Sequence, residues 1–350
     1  MKQKIKVFVS VISLLFLFSC GGYETQVINT IHSDGSVTRK VIVKNKKNDF
    51  SFDKFKVPVD STWQSKITYE ISAEEDTVWI YTALKEFKSA EAINLAYRAD
   101  SGTNRDLPRT AFFTKSFRWF TTVYRFTEKV DKTLTIDCPM SDFFSEKEAE
   151  FMYMPDFVQE DLKTGSDSLA YTALADSADS KSEFWLTTSL VKQWTQLLDG
   201  LLENNPGVDS TMQVLREHED QLARQITFLD ADDDSILIAT VGERFFNEHK
   251  TEIDSANSLL EKVSGPFWDV ESYDMETRMP GKLISTNGYI QSVNDSTDIQ
   301  SVSWTVKGEF FLTQPFEMWA ESKVTNYWAW VVSGLFILFV IAGFVIKRRN

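Results

Sequence analysis

The stretch that decides the fold class reads TQVINTI at 25–31, HSDGS at 32–36 and VTRKVIVK at 37–44. The two outer runs are rich in β-branched residues, which is typical of strands. Asp34-Gly35 between them supplies the positive φ that a tight hairpin needs. We therefore predict a β-hairpin over 25–44.

β character continues on both sides of a helical segment. We expect strands at 66–71, 77–87, 111–130 (one long strand or two short ones) and 133–136, a helix at 89–99, and strands again at 267–273, 282–293 and 299–312. Between them, apolar residues recur at spacings of three and four, which predicts a helix at 181–203 (Leu186, Leu190, Trp194, Leu197, Leu201). This order predicts an α+β fold, in which a mainly antiparallel sheet is shared by the flanking segments and carries a helical insertion. A run of separate domains is the alternative.

The N-terminus has the pattern of a secretory signal peptide. Three lysines in the first six residues precede a mostly apolar run at 7–18, which is too short to span a bilayer. The residues LFSC at 17–20 resemble the lipobox of bacterial lipoproteins. This resemblance implies that Cys20 becomes the mature N-terminus and carries a diacylglyceryl group with acyl chains such as palmitate. An ordinary signal peptide that leaves a free Cys20 is the alternative.

The other end has the pattern of a membrane span. YWAWVVSGLFILFVIAGFVI at 327–346 contains no charge, and KRRN follows at 347–350. A twenty-residue helix covers the roughly 30 Å of a bilayer's hydrocarbon core. Because positive charge stays on the cytoplasmic side, we expect the tail inside and the bulk of the chain on the periplasmic face of a bacterial cytoplasmic membrane. Both ends of the external domain are then tethered to one membrane face, which would hold a particular surface toward the lipid.

These features predict the following organisation along the chain: a lipoprotein signal peptide (1–19), a β-rich part of the external domain (20–158), a polar linker (159–181), a helical insertion (182–263), a β-rich continuation (264–320), a single transmembrane helix (327–346) and a basic cytoplasmic tail (347–350).

Composition excludes several classes of function. With 51 acidic and 37 basic residues the net charge is −14, the wrong sign for binding nucleic acid. Two cysteines exclude a disulfide scaffold. Without the six basic residues of the signal peptide and the tail, 31 basic residues face 51 acidic ones, and the external domain carries −20. We expect anionic head groups to repel this domain, which favours a cationic partner or bound divalent ions over direct docking on lipid.

Aromatic residues are concentrated in one predicted strand. Seven aromatic residues lie in it, and they are divided between its two faces: Phe112, Phe113, Phe117, Trp119, Phe120, Tyr124 and Phe126. A central strand buried on both faces is the first interpretation. The alternative is an apolar binding surface for a lipid or an apolar peptide, formed by Phe112, Phe113, Phe117, Trp119 and Phe120.

No catalytic residue, cofactor or metal site is predicted. The histidines, His32, His218 and His249, form no metal-ligating motif, and the motifs of common hydrolases are not found. The acidic cluster at 230–234 begins like a calcium loop but lacks the required Gly and Glu, so helix capping is the preferred interpretation.

Cys138 is expected to be a buried small hydrophobe. A reactive thiol is the alternative, and a disulfide with Cys20 requires that Cys20 is not lipidated.

Several short sequence motifs follow one another across residues 20–350. They are TIHSDGS at 30–36, FFTKSF at 112–117, MPGK at 279–282, NG at 287–288, VSW at 302–304, and the final helix with its basic tail. In this order they resemble the LppM-type membrane-anchored bacterial lipoproteins, from which the helical segment 182–262 departs. The resemblance implies a membrane-anchored lipoprotein and supplies no catalytic residues.

The sequence thus predicts a membrane-tethered envelope lipoprotein that is not an enzyme. Its extracytoplasmic domain is expected to bind or dock a protein partner or a lipid beside the membrane. An envelope hydrolase and a structural subunit of a membrane complex are the alternatives.

Overall fold

A computed structural model of the chain describes residues 23–72, 76–102, 104–164, 168–229, 233–270, 272–292 and 300–349. The predicted signal peptide at 1–19, the predicted lipid attachment at Cys20 and most of the acidic cluster, 230–232, lie outside the described residues.

The described elements follow in chain order. The first part contains β1 (Glu24–Ile31), β2 (Val37–Asn45), β3 (Gln64–Ile71), β4 (Thr77–Phe87), α1 (Ala90–Arg98), β5 (Arg109–Arg118) and β6 (Thr121–Val130). The helical part contains α2 (Glu146–Met152), α3 (Asp156–Thr164), α4 (Ser168–Leu202), α5 (Asp209–Glu217), α6 (Glu219–Leu229), α7 (Asp233–Val241), α8 (Glu243–Glu248) and α9 (Lys250–Asp269). The last part contains β7 (Tyr273–Arg278), β8 (Lys282–Thr286), β9 (Tyr289–Ser292), β10 (Gln300–Val306), β11 (Phe316–Thr325) and α10 (Tyr327–Arg349).

The predicted hairpin is confirmed as β1 and β2, which pair antiparallel from Glu24 opposite Lys44 to Ile31 opposite Val37. Gly35 in its turn has φ +93°, a conformation that side chains other than glycine rarely adopt. A Cβ at this position would lie 2.9 Å from the Phe113 ring of β5. The turn therefore needs glycine both for its backbone and for its contact with β5.

The described strands form two sheets. A larger sheet has the order β3-β4-β2-β1-β7-β10-β9, and a small sheet has the order β5-β6-β11-β8. All neighbours pair antiparallel except β1 and β7, which are parallel. Both sheets combine strands from before and after the helical part, as expected for a sheet shared by the flanking segments. The predicted α+β class with mainly antiparallel pairing is confirmed.

One hydrophobic core lies between the two sheets. It joins Val27 and Val41 of the larger sheet to Phe126 and Met318 of the small one, with Ile93 of α1 beside them. A second core fills the helical part, where Trp185 and Leu198 of α4 pack with Leu215 and Ala256. The strands therefore bury their apolar faces in the first core, and the helices of the helical part bury theirs in the second.

Cys138 belongs to the second core and is 2% exposed. Burial raises the pKa of its thiol. The expected buried small hydrophobe is confirmed.

The predicted polar linker at 159–181 is wrong for most of its length. Residues 168–181 form the first turns of the 35-residue helix α4. Tertiary contacts hold this weakly periodic stretch in a helix, because Ser177 and Lys181 donate to the Glu148 carboxylate of α2 at 2.6 and 2.7 Å. Tyr171 also packs edge-on against Phe151, with ring centroids 5.4 Å apart.

Two strand predictions also need correction. Residues 133–136 form no strand, and Thr133 and Leu134 instead donate to the carbonyls of Phe311 and Leu312. The strand predicted at 267–273 begins only at Tyr273, because α9 continues through Phe267 to Asp269. Of the two alternatives for 111–130, the structure has two strands, joined by a turn at Trp119 and Phe120. Strand β11 was not expected.

The predicted C-terminal helix is present as α10. The most apolar 18-residue stretch within 327–348 has a mean hydropathy of 2.6, and the helix is long and apolar enough to cross a membrane. Most of its side chains face away from the rest of the chain, since only 6% of its most apolar stretch is buried.

Candidate membrane-facing site

The hairpin between β5 and β6 ends in an aromatic turn at the start of α10. We call residues 117–120 the hairpin tip. Arg118 pairs with Thr121, so Trp119 and Phe120 form a two-residue turn. Phe117, Trp119 and Phe120 are 57%, 47% and 39% exposed. The tip therefore presents three large aromatic side chains that the protein itself covers only in part.

Asn326, the residue before α10, fastens the tip to the helix. Its backbone N–H donates to the Phe120 carbonyl at 2.9 Å. Its side-chain amide donates to the carbonyls of Arg118 at 2.9 Å and Trp119 at 3.3 Å, and its side-chain oxygen accepts from Thr122 at 3.0 Å. One asparagine thus satisfies the backbone carbonyls of the turn and fixes where the helix leaves the sheet.

The tip rings lie against the first turns of α10. Phe117 stacks on Trp328 with ring centroids 6.2 Å apart, and Phe120 lies 4.3 Å from Trp330. The Trp119 indole N–H donates to the Ser333 hydroxyl at 2.9 Å. Ser333 lies six residues into the helix, about 9 Å along its axis. The tip consequently reaches the same depth as the second turn of the predicted span.

The structure divides the predicted aromatic surface into two parts. Phe117, Trp119 and Phe120 gather at the tip, whereas Phe112 is 51% exposed on the outer face of β5, away from α10. Phe113 faces inward, over Gly35 and stacked on Tyr124 with ring centroids 6.1 Å apart. A fully buried central strand is wrong for β5, because β5 is an edge strand of the small sheet.

Two lysines lie side by side on the small sheet, next to the tip. Lys282 of β8 and Lys323 of β11 are paired across the two strands, and both are exposed. Gly281 before Lys282 has φ +77°, and a Cβ there would lie 2.5 Å from the Lys323 carbonyl oxygen. The Ser322 hydroxyl donates to the Pro280 carbonyl at 2.7 Å. Pro280-Gly281 in MPGK therefore brings β8 close enough to set the two lysines side by side.

The histidines lie apart from this site. His32 bonds to the Thr38 hydroxyl at 2.8 Å within the first hairpin, and His218 bonds to the Val214 carbonyl at 2.7 Å in the helical part. Within the described part of the chain, no group of three His, Cys, Asp or Glu side chains is placed to hold a metal ion.

Sequence reasoning selected the tip aromatics but missed what positions them. The aromatic density at 112–126 contained the signal for the tip. Asn326, Ser333 and the lysine pair give no local signal, because their contacts join residues 41 to 214 positions apart in the chain.

Comparisons with known proteins give little further information. No family model matches the chain, and no curated protein matches it. Among solved structures, the NMR structure of the folded domain of LppM from Mycobacterium tuberculosis aligns over 87% of this chain and 92% of that chain. The sequence identity is 9% and the TM-score is 0.27, which is too low to show a shared fold.

Proposed function

We propose that this chain is a bacterial envelope lipoprotein whose external domain is held against the outer face of the cytoplasmic membrane. In this proposal α10 spans the membrane, Cys20 carries a lipid, and the hairpin tip enters the outer interface. The domain acts by docking a protein partner or a lipid beside the membrane, without catalysis.

The contact between the tip and α10 is the observation that supports this proposal. A bilayer that surrounds α10 at Trp330 also surrounds Phe120, because the two rings are in contact at 4.3 Å. Trp119 lies beside Ser333, still farther along the helix. Tryptophan and other amphipathic rings are favoured at the membrane interface, where an apolar body meets lipid and a polar edge meets water.

The same contact supports a fixed orientation of the domain. A single helix with a free linker leaves an attached domain able to tilt and rotate. Here only Asn326 separates β11 from α10, and the tip is bonded to the helix at two levels, by Asn326 and by Ser333. Tilting the small sheet would break these hydrogen bonds, so the helix and the sheet move as one unit.

The basic tail and the lipobox support the direction of insertion. Lys347, Arg348 and Arg349 follow the span and favour a cytoplasmic C-terminus. The signal peptide pattern favours an N-terminus that has crossed the membrane. The two signals are independent, and both favour the same side of the membrane for the domain.

Photo-crosslinking of the full chain in nanodiscs tests the proposal. A benzophenone amino acid is placed at position 120 of the tip or, as a matched control, at position 112 of the same hairpin. Phe112 is the more exposed of the two, but lies five residues up β5 from Phe117, about 16 Å away. We expect lipid adducts from position 120 and few from position 112. Equal yields at the two positions, or no adduct at 120, would show that the tip does not enter the membrane.

A further inference from the structure

The end of the small sheet nearest α10 carries only positive charge. This membrane end comprises residues 115–118 of β5, 121–124 of β6, 322–325 of β11 and 282–283 of β8. Its charged residues are Lys115, Arg118, Lys282 and Lys323. All four are exposed, on a chain whose net charge is −14. The charge of the whole domain therefore does not describe the surface beside the span.

Lys282 and Lys323 face each other directly across β8 and β11. Like charges in this position destabilise a sheet. Among the described residues neither lysine forms an ion pair, although carboxylates are abundant elsewhere in the chain. Gly281 and the Ser322–Pro280 hydrogen bond hold the two strands together at this point, so the repulsion is built into the fold.

The next row of the sheet shows the opposite arrangement. Arg125 of β6 lies 3.7 Å from Glu321 of β11, and its guanidinium stacks over Trp319 at 4.2 Å. One row away from the membrane end, positive charge is thus paired with negative charge. At the membrane end itself, the positive charges have no such partner among the residues that the structure describes. Arg118 points to the same outer face as Lys323, because both alternate with residues of the inner face in register with β6.

Both lysines can reach the head-group layer. Lys323 precedes the start of α10 by four residues, at most about 14 Å of chain. The polar head-group region adds several ångströms on each side of the roughly 30 Å hydrocarbon core. A lysine side chain extends its ammonium toward such a layer while its stem stays on the protein surface.

We infer that Lys282 and Lys323, together with Arg118, bind the phosphate groups of anionic phospholipids in the outer leaflet. This inference rests on the proposed seating of the tip. It reverses the expectation that anionic head groups repel the domain, because the repelling charge lies away from the membrane end.

Lysine acylation of the wild-type full chain in nanodiscs tests the inference without any variant. Labelling rates are measured by mass spectrometry in discs of phosphatidylcholine alone and in discs that also contain phosphatidylglycerol. We expect Lys282 and Lys323 to label about fivefold more slowly in the anionic discs, which corresponds to about 1 kcal/mol per lysine. Lys129, on the same outer face at the other end of β6, serves as the matched control and keeps its rate. Raising the salt to about 1 M, where the Debye length is about 3 Å, should remove the protection.

Two further arms separate the possible outcomes. Inorganic phosphate added to phosphatidylcholine discs should give no protection; protection there would overturn binding to lipid in favour of binding to free phosphate. Equal rates for Lys282 and Lys323 in both kinds of disc would overturn the inference. If position 120 still crosslinks to lipid in that case, the proposed function survives and only the head-group contact is refuted.

Discussion

The buried ion pair between Arg39 and Glu128 links the two sheets, and its removal gives the clearest test of the fold. Arg39 of β2 donates two hydrogen bonds of 2.9 Å to the Glu128 carboxylate of β6. It also donates to Asn29 of β1 and to the Tyr97 hydroxyl of α1, each at 2.7 Å. The side chains of the pair are 2% and 4% exposed.

The charges of this network depend on each other. Burial alone lowers the pKa of Arg39, but the Glu128 carboxylate and Tyr97 raise it above its ordinary value. Burial raises the pKa of Tyr97, so its hydroxyl stays protonated and can donate to Glu128. Glu128→Gln keeps the shape of the side chain but leaves a buried guanidinium without a counter-charge.

Breaking a buried ion pair by removing one partner costs about 3–5 kcal/mol. At roughly 2–4 °C per kcal/mol, Glu128→Gln should lower the melting temperature by about 6–20 °C. The measurement is thermal unfolding of the full chain in detergent, followed by near-ultraviolet circular dichroism, which reports the packed aromatic cores and not the helix content of α10.

Glu321→Gln is the matched control. Its partner Arg125 is 3.7 Å away, and the two side chains are 31% and 40% exposed, so the loss should stay below about 1 kcal/mol. The double variant Arg39→Met with Glu128→Leu should recover much of the loss, because no buried charge is left unpaired. A melting temperature for Glu128→Gln no lower than that of Glu321→Gln would refute the view that this pair joins the sheets.

Three further outcomes are expected. Gly281→Ala should lower the free energy of unfolding by about 1–3 kcal/mol more than Gly207→Ala, because both positions have positive φ but only at Gly281 would the new Cβ meet another strand; equal losses in urea unfolding would show that β8 can shift. Glu148 has a pKa held below its ordinary value by hydrogen bonds from Lys181, Ser177 and Ser145, so it stabilises the fold above the unfolded glutamate pKa of about 4.3, and this contribution is lost as pH falls through the lower folded pKa. The difference in melting temperature between wild type and Glu148→Gln should therefore be present at neutral pH and shrink in strong acid, and a difference that grows on acidification would contradict the assigned hydrogen bonds. Cys138 should react with a maleimide only in denaturant, because it is 2% exposed and burial raises its pKa; labelling of the folded chain at the rate of a free thiol would count against its place in the helical core.

Local signals predicted the elements whose cause is local. The β1–β2 hairpin follows from Asp34-Gly35 and its β-branched flanks, and α10 follows from twenty uncharged residues. Strand β11 was missed although Phe316, Met318 and Ala320 alternate with outward-facing residues, because charged Glu317, Glu321 and Lys323 weaken its apolar signal.

Elements stabilised by distant contacts could not be predicted in this way. The first turns of α4 depend on Glu148, some thirty residues earlier in the chain. The tip was predicted as part of an apolar strand, but its position depends on Trp119 meeting Ser333, 214 residues away. The sequence of residues 112–126 alone does not identify the distant element that contacts their rings.

The two predicted anchors together restrict how the domain stands on the membrane. Strand β1 runs toward the membrane end, since Asn29 bonds to Glu128 while Ser33 beyond the strand accepts from Lys115. Glu24 lies five residues before Asn29, and Glu128 lies eight residues from Phe120, so Glu24 is about 40 Å from the tip if the strands stand upright. Cys20 precedes Tyr23 by three residues, about 10 Å of chain, so a lipid on Cys20 cannot reach the bilayer in that posture. Because the small sheet and α10 move as one unit, simultaneous anchoring requires α10 to tilt in the bilayer together with the sheets until the start of β1 approaches the membrane. This tilt brings Phe52, 50% exposed beside Phe55 and Tyr81, toward the lipid. Lipid crosslinking from position 52 that is lost in Cys20→Ala, while crosslinking from position 120 persists, is the result expected of this leaning arrangement, and crosslinking from position 120 alone in the wild type would show that the domain stands upright on α10.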